Sequence, residues 1–234
     1  MQEPQPPSAV VPAPMFSRAA WAYMLPFLAY LGFLAIAALL AGAGVSASAL
    51  RWLYPVKIAV VVVLLAACWR HYTELHTWRL RLPHALVALA TGVVVLVLWV
   101  SLNADWMIIG TPGGFDPRTD GRVDDLMVAL RIGGAALVVP VMEELFWRAF
   151  LLRWIDAPDF QALDPARAGV RGIITGIVLF GFEHNQWLAG IVAGAAYTAL
   201  YLRHRTLWSP ILAHAVTNAL LGAWIVWNAQ WSYW

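Results

Sequence analysis

Apolar residues fall in seven runs, at about Trp21 to Ala43, Val56 to Trp69, Ala85 to Leu102, Leu126 to Leu152, Gly172 to Phe182, Trp187 to Leu202 and Leu207 to Trp227. Short polar or turn-forming stretches separate them. About 20 apolar residues carry a helix across a hydrocarbon layer of roughly 30 Å, so the runs predict transmembrane helices. The second, fifth and sixth runs are short, which predicts tilt, snorkelling flanks or burial among neighbouring helices. No internal repeat or inverted half stands out, which argues against a repeat-built transporter. The expected architecture is an all-α, polytopic transmembrane bundle of about seven spans.

Composition strengthens this reading. The 234 residues are 62% hydrophobic and 12% charged, against about 25% charged in a soluble domain. A bilayer solvates that much apolar surface where a single soluble core does not. The net charge is +2, and the 15 Lys and Arg residues fall singly or in pairs between apolar runs. This pattern gives no nucleic-acid surface and leaves membrane lipid as the expected surroundings. Seven tryptophans, Trp52, Trp69, Trp78, Trp106, Trp154, Trp187 and Trp208, lie near run ends, where an amphipathic ring favours the headgroup zone. Cys68 is the single cysteine, so neither an internal disulfide framework nor a cysteine zinc cluster is expected. Residues 1–18 are Pro-rich at the start, lack the basic region of a signal peptide, and are read as a disordered tail.

The arginines suggest an orientation. Arg18 precedes the first span, and Arg70, Arg79 and Arg81 fill the second loop. Arg153, Arg167 and Arg171 flank the fourth, and Arg203 and Arg205 the sixth. By the positive-inside rule these loops and the N-terminus are expected in the cytoplasm, in a multi-pass integral membrane protein. The third loop carries Asp105, Asp116, Asp120, Asp124 and Asp125 and fits the opposite side, while Arg51 and Lys57 oppose the pattern. The acidic loop matches no calcium-loop spacing and is read as solvated.

Ionisable residues inside a span are costly and therefore point to function. The fourth run contains Glu143-Glu144-Leu145-Phe146-Trp147-Arg148, the fifth ends in Phe180-Gly181-Phe182-Glu183-His184, and the seventh contains His214-Ala215-Val216-Thr217-Asn218. Helical spacing puts Glu144 and Arg148 on one face as a neutralising pair and turns Glu143 away, toward Trp147. His214 and Asn218, also four apart, offer an imidazole and a carboxamide side by side. Counting 1.5 Å per residue from the nearest flanking arginine places Glu143 roughly 15 Å, His214 roughly 14 Å and His184 roughly 20 Å deep. One polar chamber in the middle of the bundle is expected. His71, His76, His84 and His204 sit at span ends and read as interfacial. The role of Glu183 is left open.

These motifs, two glutamates followed after three residues by arginine, phenylalanine with histidine four residues on, and histidine with asparagine four residues on, occur in the order found in the CAAX protease and bacteriocin-processing (CPBP) membrane family. The chain resembles that family, which includes the type II CAAX prenyl endopeptidases, from about Leu126 to Trp227. Its tryptophan richness is similar to that of bacterial members found beside exosortase protein-sorting systems. The resemblance implies a catalytic core at 126–228, preceded by three spans and the acidic loop at 19–125, and hydrolysis of a peptide bond within the membrane without a covalent intermediate. It makes Glu143 and His184 the residues that activate water, His214 and Asn218 the oxyanion donors, and Glu144 with Arg148 their support. A desolvated carboxylate suits general-base work, and paired donors suit a developing oxyanion. The expected substrate is a peptide or protein with a hydrophobic or lipid-anchored end, entering from the side of the even-numbered loops. No cofactor is expected. Zinc held by the glutamates and histidines is the alternative, disfavoured because an asparagine paired with the second histidine fits an oxyanion clamp better than a ligand set. A catalytically idle membrane partner or immunity-type protein is the reading from another class, and a proton-coupled transporter a more distant one. The pattern sets no oligomeric state.

Overall fold

The computed structural model describes residues 16–110, 113–119 and 121–234. Among these, seven long helices form one bundle: α1 Arg18–Gly42, α2 Ala47–Ala67, α3 Leu82–Ser101, α4 Asp125–Trp154, α5 Val170–Phe182, α6 Trp187–His204 and α7 Trp208–Asn228. Five of them, α1 to α4 and α7, are long and apolar enough to cross a membrane by length and composition. The chain is therefore an all-α helical membrane bundle, with one two-residue hairpin, Arg118–Thr119 with Arg122–Val123, in the third loop.

Local chemistry explains where the helices begin. Ser17 Oγ accepts the Ala20 N–H at 3.1 Å, so α1 takes in Arg18. Most of the expected tail, residues 1–15, lies outside the described residues. Ser46 caps Ala49 in the same way at 3.3 Å, starting α2 nine residues before its apolar run. Asp124 accepts the Met127 N–H at 3.2 Å, and Asp116 pairs with Arg118 at 2.6 Å. Two of the loop's acids thus serve a cap and an exposed ion pair, and that pair holds the Asp116 carboxyl below the usual carboxylate range.

Lengths set the shape of the bundle. At 1.5 Å per residue, the 30-residue α4 is roughly 45 Å long and the 13-residue α5 roughly 20 Å. The turn after α5 is therefore sunk below the ends of its neighbours. The third loop settles onto it: Ile109 and Asn185 exchange two hydrogen bonds of 2.8 Å, Gln186 Nε2 donates to Trp99 O at 3.0 Å, and Trp187 Nε1 donates to Trp106 O at 3.1 Å. At the other end of the bundle Arg153 is buried and paired with Glu74, whose other oxygen accepts from Tyr23 Oη at 2.5 Å. Arg153 thus ties loop two to α4 as well as marking a face.

Small residues let the central helices touch. A side chain on Gly92 of α3 would meet Ala213 O of α7 at 2.5 Å, and one on Gly190 of α6 would meet Gly181 O of α5 at 2.9 Å. A Gly92→Val substitution is expected to force α3 off α7 and cost about 1–3 kcal/mol, read as a lower midpoint in thermal unfolding of the detergent-purified protein.

Candidate active site

The site is built on an irregular stretch of α4. Pro140 has no N–H, so a helix passing through it leaves a carbonyl one turn back without its donor. Here the preceding turn widens into a π-helical segment, Gly134–Val138, in which the Val139 N–H bonds Gly134 O. The next bond of that series would join residue 140 to Ala135 O. The proline cannot supply it, and Asn218 of α7 does, donating from Nδ2 at 2.8 Å. A second π-helical segment, Leu145–Leu151, follows the two glutamates. Such bulges recur at functional sites because they re-aim side chains.

Glu144 and Arg148 form the expected pair. Nη1 of Arg148 donates to Glu144 Oε1 at 3.1 Å, Nη2 donates to Gly194 O at 3.3 Å, and the guanidinium lies 4.2 Å from the centre of the Phe180 ring. Both side chains are sealed from solvent, at 2% and 0% exposure. The same Glu144 oxygen faces Nδ1 of His214 at 3.0 Å. On its other side His214 brings Nε2 to 4.0 Å from Glu143 Oε2, beyond direct hydrogen-bond range. That oxygen of Glu143 is buried and has no protein partner.

His184 is oriented from within its own helix. Its Nδ1 lies 2.8 Å from Phe180 O. A carbonyl only accepts, so Nδ1 carries the proton and the neutral ring keeps Nε2 as an acceptor. Phe180 therefore serves two partners in three ways: its carbonyl fixes His184, its ring packs at 4.9 Å from the His184 ring, and its face holds Arg148.

Glu143, His184, His214 and Asn218 line one cavity of roughly 320 Å³. The depth count along each helix expected Glu143, His184 and His214 in one layer, and the structure places all three on this cavity together with Asn218. Three local expectations change. Glu143 does not meet Trp147, whose indole N–H instead donates to Glu183 Oε2 at 3.0 Å, which gives Glu183 a place in the wall. His214 and Asn218 do not stand as a free pair of donors, because each has one nitrogen engaged, with Glu144 and with Ala135 O. The remaining lining is the third difference: Tyr54, Gly113, Arg131, Asn185 and Ser232 all belong to the end of the bundle that carries the third loop. The chamber thus faces away from the even-numbered loops, contrary to the expected entry side, because the short α5 leaves that end low.

Sequence reasoning missed Tyr197 and Thr217. The Tyr197 ring stacks on His214, centroids 4.9 Å apart and planes at 19°. Its hydroxyl donates to Thr217 Oγ1 at 2.8 Å, and Thr217 in turn faces Gly92 O at 2.9 Å. Thr217 sits three residues after His214, within one turn on the same face, which is the signal that would have found it. Lys57, first read as a loop cation, is buried with Nζ 3.7 Å from the centre of the Tyr30 ring. Among the described residues, no three His, Cys, Asp or Glu side chains converge as a group that could hold a metal ion.

Fold and site together define a polytopic helical membrane protein with a chamber lined by carboxylates and imidazoles. Residues 125–220 match the family described as type II CAAX prenyl endopeptidase Rce1-like. All of Glu143, Glu144, Arg148, His184, His214 and Asn218 lie inside the matched segment. The family is one of CAAX-type proteases, which makes peptide-bond hydrolysis at the membrane the coarse activity the match supports. No curated protein matches the chain. No solved structure matches it either.

Proposed function

We propose that the protein is an intramembrane endopeptidase in which Glu143 and His184 activate a water molecule, and that it cuts a polypeptide near a hydrophobic or lipid-anchored end. The observation that carries this reading is the unpartnered, buried Glu143 Oε2 in a cavity shared with His184, His214 and Asn218. A water there donates one O–H to the Glu143 carboxylate and the other to Nε2 of His184, and its lone pair is left for the substrate carbonyl. Glu143 takes the proton as the C–O bond forms. The negative charge that develops on the carbonyl oxygen is met by His214, carrying a proton on Nε2, and by the second N–H of Asn218. Because Nδ1 of His214 already faces Glu144, that protonated ring is an imidazolium whose charge Glu144 balances. Collapse of the tetrahedral intermediate breaks the C–N bond, and the proton held by Glu143 passes to the departing amine. Every atom of the water ends in the two products, and no serine or cysteine takes part.

In this reading Glu144 and Arg148 are positioning residues. The metal-free form is supported by the donor set, since among the described residues no three His, Cys, Asp or Glu side chains converge as a group that could hold a metal ion. A chelator is expected to leave cleavage by the purified protein unchanged, whereas loss restored by zinc would overturn that form. Removing one oxyanion donor, by His214→Ala or Asn218→Ala, is expected to lower kcat about 10²- to 10³-fold with little change in KM. Steady-state kinetics on a quenched-fluorescent peptide substrate reads this. A matching rise in KM with unchanged kcat would assign the pair to ground-state binding instead.

A further inference from the structure

We infer that the chamber opens on the extracytoplasmic face, so that its substrates are exported polypeptides held at that face of the membrane by an apolar or lipidated segment. The inference rests on the hydrolytic reading above and names the substrate class it serves.

Two independent observations meet here. The first is where the chamber opens. Its outer lining comes from Gly113 of the third loop, Asn185 of the α5–α6 turn, and Ser232, Tyr233 and Trp234 after α7. All lie at one end of the bundle, since an even number of long helices separates each from the next. The Phe115 N–H bonds Trp231 O at 3.1 Å and Asn103 Nδ2 donates to the Tyr233 hydroxyl at 3.3 Å, so third loop and chain end form one rim.

The second observation is charge. Arg70, Arg79, Arg81, Arg167, Arg171, Arg203 and Arg205 are exposed at the opposite end. Short loops rich in arginine are retained in the cytoplasm. The rim end carries Asp105, Asp116, Asp124 and Asp125 against Arg118 and Arg122 among exposed or half-buried loop charges. Arg51 stays at the rim end as a half-buried cation against the pattern, whereas Lys57 lies over Tyr30, and Arg131 lies over Tyr54 with its guanidinium 4.2 Å from the ring centre. Acting within the fold, these last two weigh little in the loop bias that sets orientation. Trp99, Tyr233 and Trp234 line the chamber near the rim, at the depth where aromatic rings settle into the headgroup zone. A substrate anchored in the outer leaflet therefore reaches the rim without leaving the membrane surface.

Single-cysteine variants test this on the full chain. In a Cys68→Ala background, Ser232→Cys marks the rim, Leu221→Cys the chamber wall and Thr77→Cys the arginine-rich face, each probed with a membrane-impermeant maleimide on intact expressing bacteria. Ser232→Cys and Leu221→Cys are expected to label as fully before permeabilisation as after it, and Thr77→Cys only after it. The reverse pattern, or a Leu221→Cys that labels only from the inside, overturns the inference. Labelling reads orientation whether or not the chain hydrolyses anything. Failure of the hydrolytic reading shows separately, as processing that survives Glu143→Ala.

Discussion

An Arg148→Met variant is expected to lose about 3–5 kcal/mol of stability, the largest single-residue cost in the bundle. Arg148 is 1% exposed and Glu144 fully buried, so removing the guanidinium takes away the one permanent cation beside a sealed carboxylate and leaves it His214, which is cationic only while both ring nitrogens carry protons. The loss is mostly the penalty of that stranded charge, not the worth of the pair. The double variant Glu144→Gln, Arg148→Met is therefore expected to recover much of the stability while losing activity, because nothing then holds Nδ1 of His214 in place as a carboxylate does. Thermal unfolding of the detergent-purified proteins measures both. A single variant within 1 kcal/mol of the wild-type chain would mean that the pair is wet or flexible and does not support the site.

The largest effect on rate belongs to Glu143. Glu143→Gln keeps the side chain's shape and removes the base, and is expected to lower kcat by about 10²- to 10⁴-fold while the protein keeps its thermal midpoint. His184→Ala is expected to fall in the same range. If the two side chains hold one water, the double variant loses little more than either single one, since residues acting as a unit are not additive. Independent, multiplying losses would separate Glu143 and His184 into different steps.

How far these features were legible in the sequence depends on the kind of information each required. Six of the seven helices follow their apolar runs closely, because the bilayer imposes length and polarity on each segment in isolation, while α2 runs Ala47–Ala67 and begins well before its run. The Glu144–Arg148 pair was legible for a similar reason, since four-residue spacing is a property of one helix. Depth along each helix placed Glu143, His184 and His214 in a common layer. What spacing did not give was the partner of each group. Glu143 turns toward His214 and not Trp147, in a helix with π-helical segments on both sides of the glutamates. The bond from Asn218 to Ala135 O follows from the proline's missing N–H, yet it also requires α7 to lie against that turn. Lys57 looked like a topology signal because a lone cation near a span end usually is one, and only its packing over Tyr30 shows otherwise. The face onto which the chamber opens was hidden for the same reason: the 13 residues of α5 matter only in relation to the longer helices around them.

The central claim is that a water poised by Glu143 and His184 cuts peptide bonds. Its most direct test is mass-spectrometric mapping of membrane and secreted peptides from cells carrying the wild-type chain or the Glu143→Gln variant at matched levels. The account predicts new termini near apolar or lipidated segments that are present with the wild-type chain and missing with the variant. Identical sets of termini would contradict it and leave the buried chamber a structural feature of a non-hydrolytic membrane protein.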